Sequence, residues 1–232
     1  MRRNKKNQGK NDFSIIVIAL TIVCLFSPVV FGDSDATEHK IKKIKVPETS
    51  KSPVLVEGIF RSGEWDDAEK IAANKNLELF FKQNSGHLFI GIKCKNLIIP
   101  MTDIYISDGE KIYNLHASAQ IAERIVKKGS KTGKDNKLIG GYAVDWTANE
   151  LRWDEKKLEE LKKSGKNVFD AFSASIFKYE GFEYQVLKTK LNSKKWYTRI
   201  LVLHGPNTDK KLIYPAETDF TKIDNWLELI VE

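Results

Sequence analysis

Two neighbouring runs, NLELFFKQ (residues 76–83) and HLFIGIKCK (87–95), place an apolar side chain at almost every second position and are split by Asn84-Ser85-Gly86. A period of two sends alternate side chains to opposite faces of a strand, so the pair reads as a β-hairpin with one buried face. A buried face needs a second layer. TDIYISDGEKIYNLHAS (102–118) repeats the pattern around Asp108-Gly109, where glycine supplies the positive φ of a tight turn. LIGGYAVDW (138–146), VFDAFSASIFKY (168–179), FEYQVLKTKL (182–191) and WYTRILVLHG (196–205) read as four further strands. Many short strands with turn signals between them predict a mostly β chain: an antiparallel two-sheet β-sandwich with one or two short helices. Its expected core is Leu79, Phe81, Leu88, Ile90, Ile92, Ile104, Ile106, Phe182, Tyr184, Val186, Ile200 and Val202.

One helix interrupts the strands. DEKKLEELKKSG (154–165) opens with acidic residues, closes with lysines and offers Gly165 as a C-terminal cap, which suits the helix dipole. Its apolar stripe is thin, so it is expected to lie over one end of the sheets. A second short helix is expected within residues 64–73.

The N-terminus reads as a leader. Basic residues precede an apolar run broken by Pro28, and Val30 and Gly32 offer a small-residue cleavage site, so residues 1–32 are expected to direct export to the periplasm or beyond and to be removed. An uncleaved run would leave a membrane anchor, the one membrane contact expected. Cys24 follows Val23 rather than a small residue, so lipidation is not expected. Residues 33–52 are polar and charged and read as a flexible linker, leaving 53–232 as the sandwich.

The formal charge is +7, but residues 1–32 hold five basic side chains against Asp12, so the remainder carries +3. Its lysines are interspersed with acids rather than gathered with aromatics, which argues against nucleic acid. Beyond the leader a single cysteine remains, Cys94, which excludes an internal disulfide and continues the core alternation of its strand.

The serine-hydrolase elbow, the zinc-protease helix, the attached-haem motif and the phosphate loop are all missing, so no enzyme activity, catalytic residue or metal site is expected. VLVEGIFRSGEWDDAEKI (54–71), LELFFKQNSGHLFIGIKCKN (77–96) and TDIYISDGEKIY (102–113), with the later GFEYQVLKTKL and WYTRILVL, resemble family 9 carbohydrate-binding modules and the wider DOMON-like group over residues 53–205. Where sugar-binding members carry Asp-Gly ahead of the acidic turn, this chain has Glu57-Gly58. The resemblance implies an exported sandwich that binds rather than transforms, with Trp65 as a buried plug closing one end, its indole N–H bonded to the backbone.

For such a module a carbohydrate or small polar ligand is the expected partner. Indoles stack on sugar C–H patches while charged and amide groups receive the hydroxyls. DWTANELRW (145–153) supplies Trp146 and Trp153 with Asp145, Asn149 and Arg152, and Trp196 stands among polar neighbours. Trp146, Trp153, Trp196, Asp145 and Arg152 are therefore the expected ligand-binding residues. Some DOMON-like domains hold b-type haem, for which Met101 and His204, or else His116, are the axial candidates. A protein-contact module of the cell envelope is the third reading.

Overall fold

The hairpin that constrains the sequence forms as expected. A computed structural model describes residues 42–49, 54–95, 101–126, 137–140, 145–176, 179–191, 193–204 and 210–232. The chain divides at residue 38, and all described residues fall in the unit spanning 39–232. In chain order the strands are β1 (Lys43–Lys45), β2 (Glu69–Asn74), β3 (Leu77–Gln83), β4 (His87–Cys94), β5 (Met101–Ser107), β6 (Ile112–Ala117) and β7 (Ile121–Val126). There follow β8 (Lys137–Gly140), β9 (Trp146–Ala148), the helices α1 (Glu155–Lys163) and α2 (Val168–Ser175), then β10 (Gly181–Leu187), β11 (Lys195–His204), β12 (Lys210–Tyr214) and β13 (Leu227–Ile230).

They make two sheets. The larger runs β1-β13-β11-β5-β6-β7-β8, and the smaller β2-β3-β4-β10-β9. Pairing is antiparallel except between β1 and β13, which run parallel with Ile44 opposite Leu229. The other edge of β11 from β5 is shared: β13 takes Lys195 to Thr198 and β12 takes Ile200 to His204.

The sheets face each other across one core. All twelve expected core residues lie in it, between 0% and 1% exposed. The alternation works because each strand spends its odd or its even positions on the same apolar layer. Tyr184 adds a polar stitch across that layer: its hydroxyl meets Thr102 Oγ1 at 2.6 Å and donates to the Thr102 carbonyl.

Each sheet also has a covered outer face. On the smaller one Trp65, Val54, Phe80 and Phe89 form a second apolar cluster with Phe60 and Ala68. A Cβ at Gly91 would come within 2.9 Å of the Phe60 ring and 3.1 Å of the Trp65 ring, so only glycine lets this layer settle on β4. On the larger sheet Trp226 and Ile223, with Phe220, cover Ile112, Val126, Tyr105 and Tyr197.

Four expectations need correction. Residues 168–179 do not continue as a strand: Asn167 caps α2 by accepting from the Asp170 N–H, and the helix runs to Ser175. Residues 64–73 form no helix. Chain reversal there is a turn, with Glu64 and Ala68 donating to Arg61 and Trp65 carbonyls, and Glu69 then enters β2. The linker assigned to 33–52 holds β1, and Glu48 bridges Gln83. Residues 138–146 divide between β8 and β9, with 141–144 outside the described residues, as are 1–41 and the leader within them.

The α1 helix forms with the expected ends. Asp154 accepts from the Lys157 N–H, Lys162 and Lys163 occupy the last turn, and Gly165 at φ 84° ends it. None of its residues is buried.

Candidate functional site

The opening acidic turn builds a site, though not around its tryptophan. Trp65 is 7% exposed and lies over the outer face of the smaller sheet rather than closing an end of the sandwich. Its indole N–H goes to a side chain and not to the backbone: it donates to Glu183 Oε1 at 3.0 Å. Glu183 Oε2 accepts from the Glu57 and Gly58 N–H groups at 3.1 and 2.8 Å. Burial pushes this carboxyl up to about 7 despite those three donors. Lys82, fully buried beneath the same turn, donates to the Glu64 carbonyl and to Asp67, and its ammonium stands 5.5 Å from the centre of the Trp65 ring. Burial raises the Asp67 carboxyl, but the bonds from Thr49 and Lys82 outweigh it and hold the group below its ordinary value.

This lock fixes residues 56–59 along one wall of a cleft of about 540 Å³. Opposite stand Thr147, Ala148, Asn149, Glu150 and Arg152, which lead out of β9, together with Tyr179 and Ile121. Asn149 is spent on architecture, accepting from the Glu183 N–H at 2.7 Å and donating to the Gly181 carbonyl. Tyr179 is anchored at its tip, where the hydroxyl donates to the Glu150 carbonyl at 3.0 Å and accepts from the Arg152 N–H at 2.7 Å. Gly58, at φ +78°, lies so close that a Cβ there would come 2.6 Å from the Tyr179 ring. The ring is therefore held while it lines the cleft. The Arg152 and Glu150 side chains make no hydrogen bond or ion pair among the described residues and are exposed at the rim. Glu57 at the facing rim pairs with Arg61.

Of the expected ligand residues, Arg152 alone lines this cleft. Trp146 and Trp196 are core residues, 4% and 0% exposed. Trp146 stacks on Tyr184 at 6.0 Å and donates to Glu123 at 2.7 Å, while the Trp196 N–H donates to the Ser193 carbonyl. An indole with both faces packed cannot receive a sugar. Trp153 is half-buried against Phe172 of α2, at 5.1 Å, so it pins that helix and shares no cleft with Trp146. Asp145 is half-exposed and engaged by Lys190, which also reaches Glu123, and none of the three lines the cleft. Tyr179, Glu57, Ile59 and Glu150 were not anticipated; the bulk of Tyr179 next to Glu180-Gly181 was the signal available.

The haem ligands do not meet. Met101 sits directly opposite Leu203 in the β5–β11 register, so it shares that residue's face, and His204, the next residue, points to the other. His116 is bonded on both ring nitrogens, to Asp103 and Ser118. These residues do not fit an axial pair. Among the described residues no cluster of three or more His, Cys, Asp or Glu could hold a metal ion, and no helix is long and apolar enough to cross a membrane.

No family model matches the chain, and no curated protein does. Among solved structures it is similar to a family 9 carbohydrate-binding module from Caldicellulosiruptor kristjanssonii in complex with cellotriose, at 9% identity and a TM-score of 0.44, over 82% of this chain and 94% of that one. It is also similar to a Bacteroides uniformis protein provisionally assigned as carbohydrate-binding, at 9% identity and a TM-score of 0.46, over 83% of this chain and 100% of the other.

Proposed function

We propose that this chain is a binding module for a carbohydrate or similarly polar ring compound, and that the ligand occupies the cleft between Tyr179, Arg152 and the 56–59 segment. The observation that carries the reading is an aromatic ring tethered at its hydroxyl and lining a concave, polar-rimmed space. Pockets for small ligands combine apolar walls with a few placed polar groups. Here Val56, Ile59 and Tyr179 supply surface for sugar C–H groups, while Glu57, Glu150 and Arg152 are placed to bond hydroxyls. Tyr179 takes the part expected of a tryptophan.

The leader supports a matching location. The basic head, apolar run and Val30-x-Gly32 site of residues 1–32 are read as directing export, which would bring the module to envelope or environmental glycans. Mass spectrometry of the N-terminus distinguishes removal from retention as an anchor.

The decisive experiment is a glycan array followed by calorimetry on wild type, R152A and Y179L. Binding by the wild type that disappears in R152A, with an unchanged melting temperature, supports the site. Full retention by both variants rules this cleft out.

A further inference from the structure

We infer that Asp103, His116 and Ser118 form a nucleophile relay that hydrolyses an ester, and that its substrate is an O-acyl group on the saccharide held in the adjoining cleft; the saccharide part rests on the binding reading above. The β5–β6 register sets Asp103 directly opposite His116, and the strand alternation puts both on the outer face of the larger sheet. They are accessible there, with 13% and 24% of their side-chain surface exposed. Asp103 Oδ1 lies 2.9 Å from His116 Nδ1, and His116 Nε2 lies 3.0 Å from Ser118 Oγ. Asn114 Nδ2 donates to the same Oδ1 at 3.1 Å and fixes the carboxylate.

These contacts assign the protons. A carboxylate facing Nδ1 holds a proton there, so the lone pair of the neutral ring is on Nε2 and faces the hydroxyl, which is the arrangement a general base needs. The hydroxyl has one competing acceptor, the Gln120 carbonyl at 3.1 Å. The Gln120 N–H donates to Oγ itself at 3.3 Å and helps to hold the hydroxyl in place. The backbone of Ser118 is tied to the segment that lines the cleft. Its carbonyl accepts from the Leu151 N–H at 2.8 Å, Leu151 lies between the lining residues Glu150 and Arg152, and Ile121 lines the cleft one residue beyond Gln120.

The reaction follows from the placement. Oγ bonds to the acyl carbon as its proton passes to Nε2, the carbon–alkoxy bond breaks, and the leaving oxygen takes that proton. Water then bonds to the same carbon and gives a proton to Nε2. The acyl–Oγ bond breaks, Oγ regains the proton, and the carboxylic acid leaves. Ser118 and His116 are the catalytic residues, and Asp103 is a positioning residue.

The test treats the full chain with a fluorophosphonate probe and with p-nitrophenyl acetate. One phosphonyl group on Ser118, mapped by mass spectrometry, is the expected result. Ester hydrolysis should fall at least 100-fold in S118A and H116Q, and at least tenfold in D103N with partial recovery in D103E, which a merely structural Asp103 would not give. No adduct, an adduct on another residue, or wild-type hydrolysis by S118A overturns the relay. Because the adduct is mapped on the wild type, a variant that fails to fold cannot decide the matter. Wild type that is labelled at Ser118 but retains no glycan on the array overturns the saccharide assignment and leaves the relay standing; glycan retention without labelling does the reverse.

Discussion

Trp65 and Glu183, 118 positions apart in sequence, are joined by a 3.0 Å hydrogen bond from indole to carboxylate on the outer face of the smaller sheet. The bond ties the acidic turn to the centre of β10, so the wall of the cleft is anchored to the sandwich by a titratable group.

That group should make stability depend on pH in an unusual direction. The Glu183 carboxyl rises from an ordinary value of 4.5 to about 7 on folding, so the folded chain binds the proton more tightly. Its contribution is fully present below about pH 4.5 and is lost as pH rises through about 7, by about 3 kcal/mol. Urea melts of wild type and E183Q between pH 4 and 8 isolate it by difference. A difference that is flat, or that grows with pH, would rule it out.

Truncating Trp65 to Ala should cost about 3–5 kcal/mol, as for other buried aromatic rings, because Phe60, Phe80 and Lys82 lose their common neighbour. The loss is read by chemical denaturation, and a cost under about 1 kcal/mol would mean that the turn does not depend on the ring.

Ile90 is fully buried at the middle of β4, between Phe81 and Tyr184 in the ladder. Ile90→Ala should cost about 2–5 kcal/mol. A melt shifted by less than half a kilocalorie would contradict the central place of this strand.

Lys190 is 2% exposed at its side chain and sits between Glu123 and Asp145, with Tyr113 beneath its ammonium at 4.7 Å. Replacing it with Met leaves Glu123 uncompensated against the Trp146 N–H and should cost about 3–5 kcal/mol. The double variant K190M/E123Q should recover part of that loss in a double-mutant cycle; no recovery would show that the charges are independent.

Cys94 is buried, and burial alone pushes its thiol up to about 12. A thiol reagent at pH 8 should leave it untouched in the folded protein and modify it in denaturant. Rapid modification of the native chain would contradict its place in the core.

Periodicity carried the inner layer because residues such as Leu79, Ile92 and Val202 report burial through their immediate neighbours. It failed where one pattern serves two structures. Residues 168–175 alternate well enough for a strand, yet Asn167 and Asp170 close a helical cap, and a cap depends on one side chain rather than on a repeat. The tryptophans were misplaced for a related reason. An indole in a strand looks the same in sequence whether it meets solvent or Tyr184, and the partner that settled Trp146, Glu123, comes from another strand of the other sheet. Arg152 was legible as an exposed cation after a strand, but the cleft around it gathers residues 56–59, 121 and 179, which only the tertiary fold brings together.

The parallel seam between β1 and β13 sets an order of events in time. Ile44 and Val46 leave the ribosome well before the Leu229 side chain opposite Ile44 and the Ile230 carbonyl that receives the Val46 N–H. Until β13 is made, Ile44 of β1 and the adjoining Val46 lack the strand with which they pair. A contact spanning nearly the whole domain makes closure slow and late. The seam therefore closes only once the segment Leu227–Ile230 has been made.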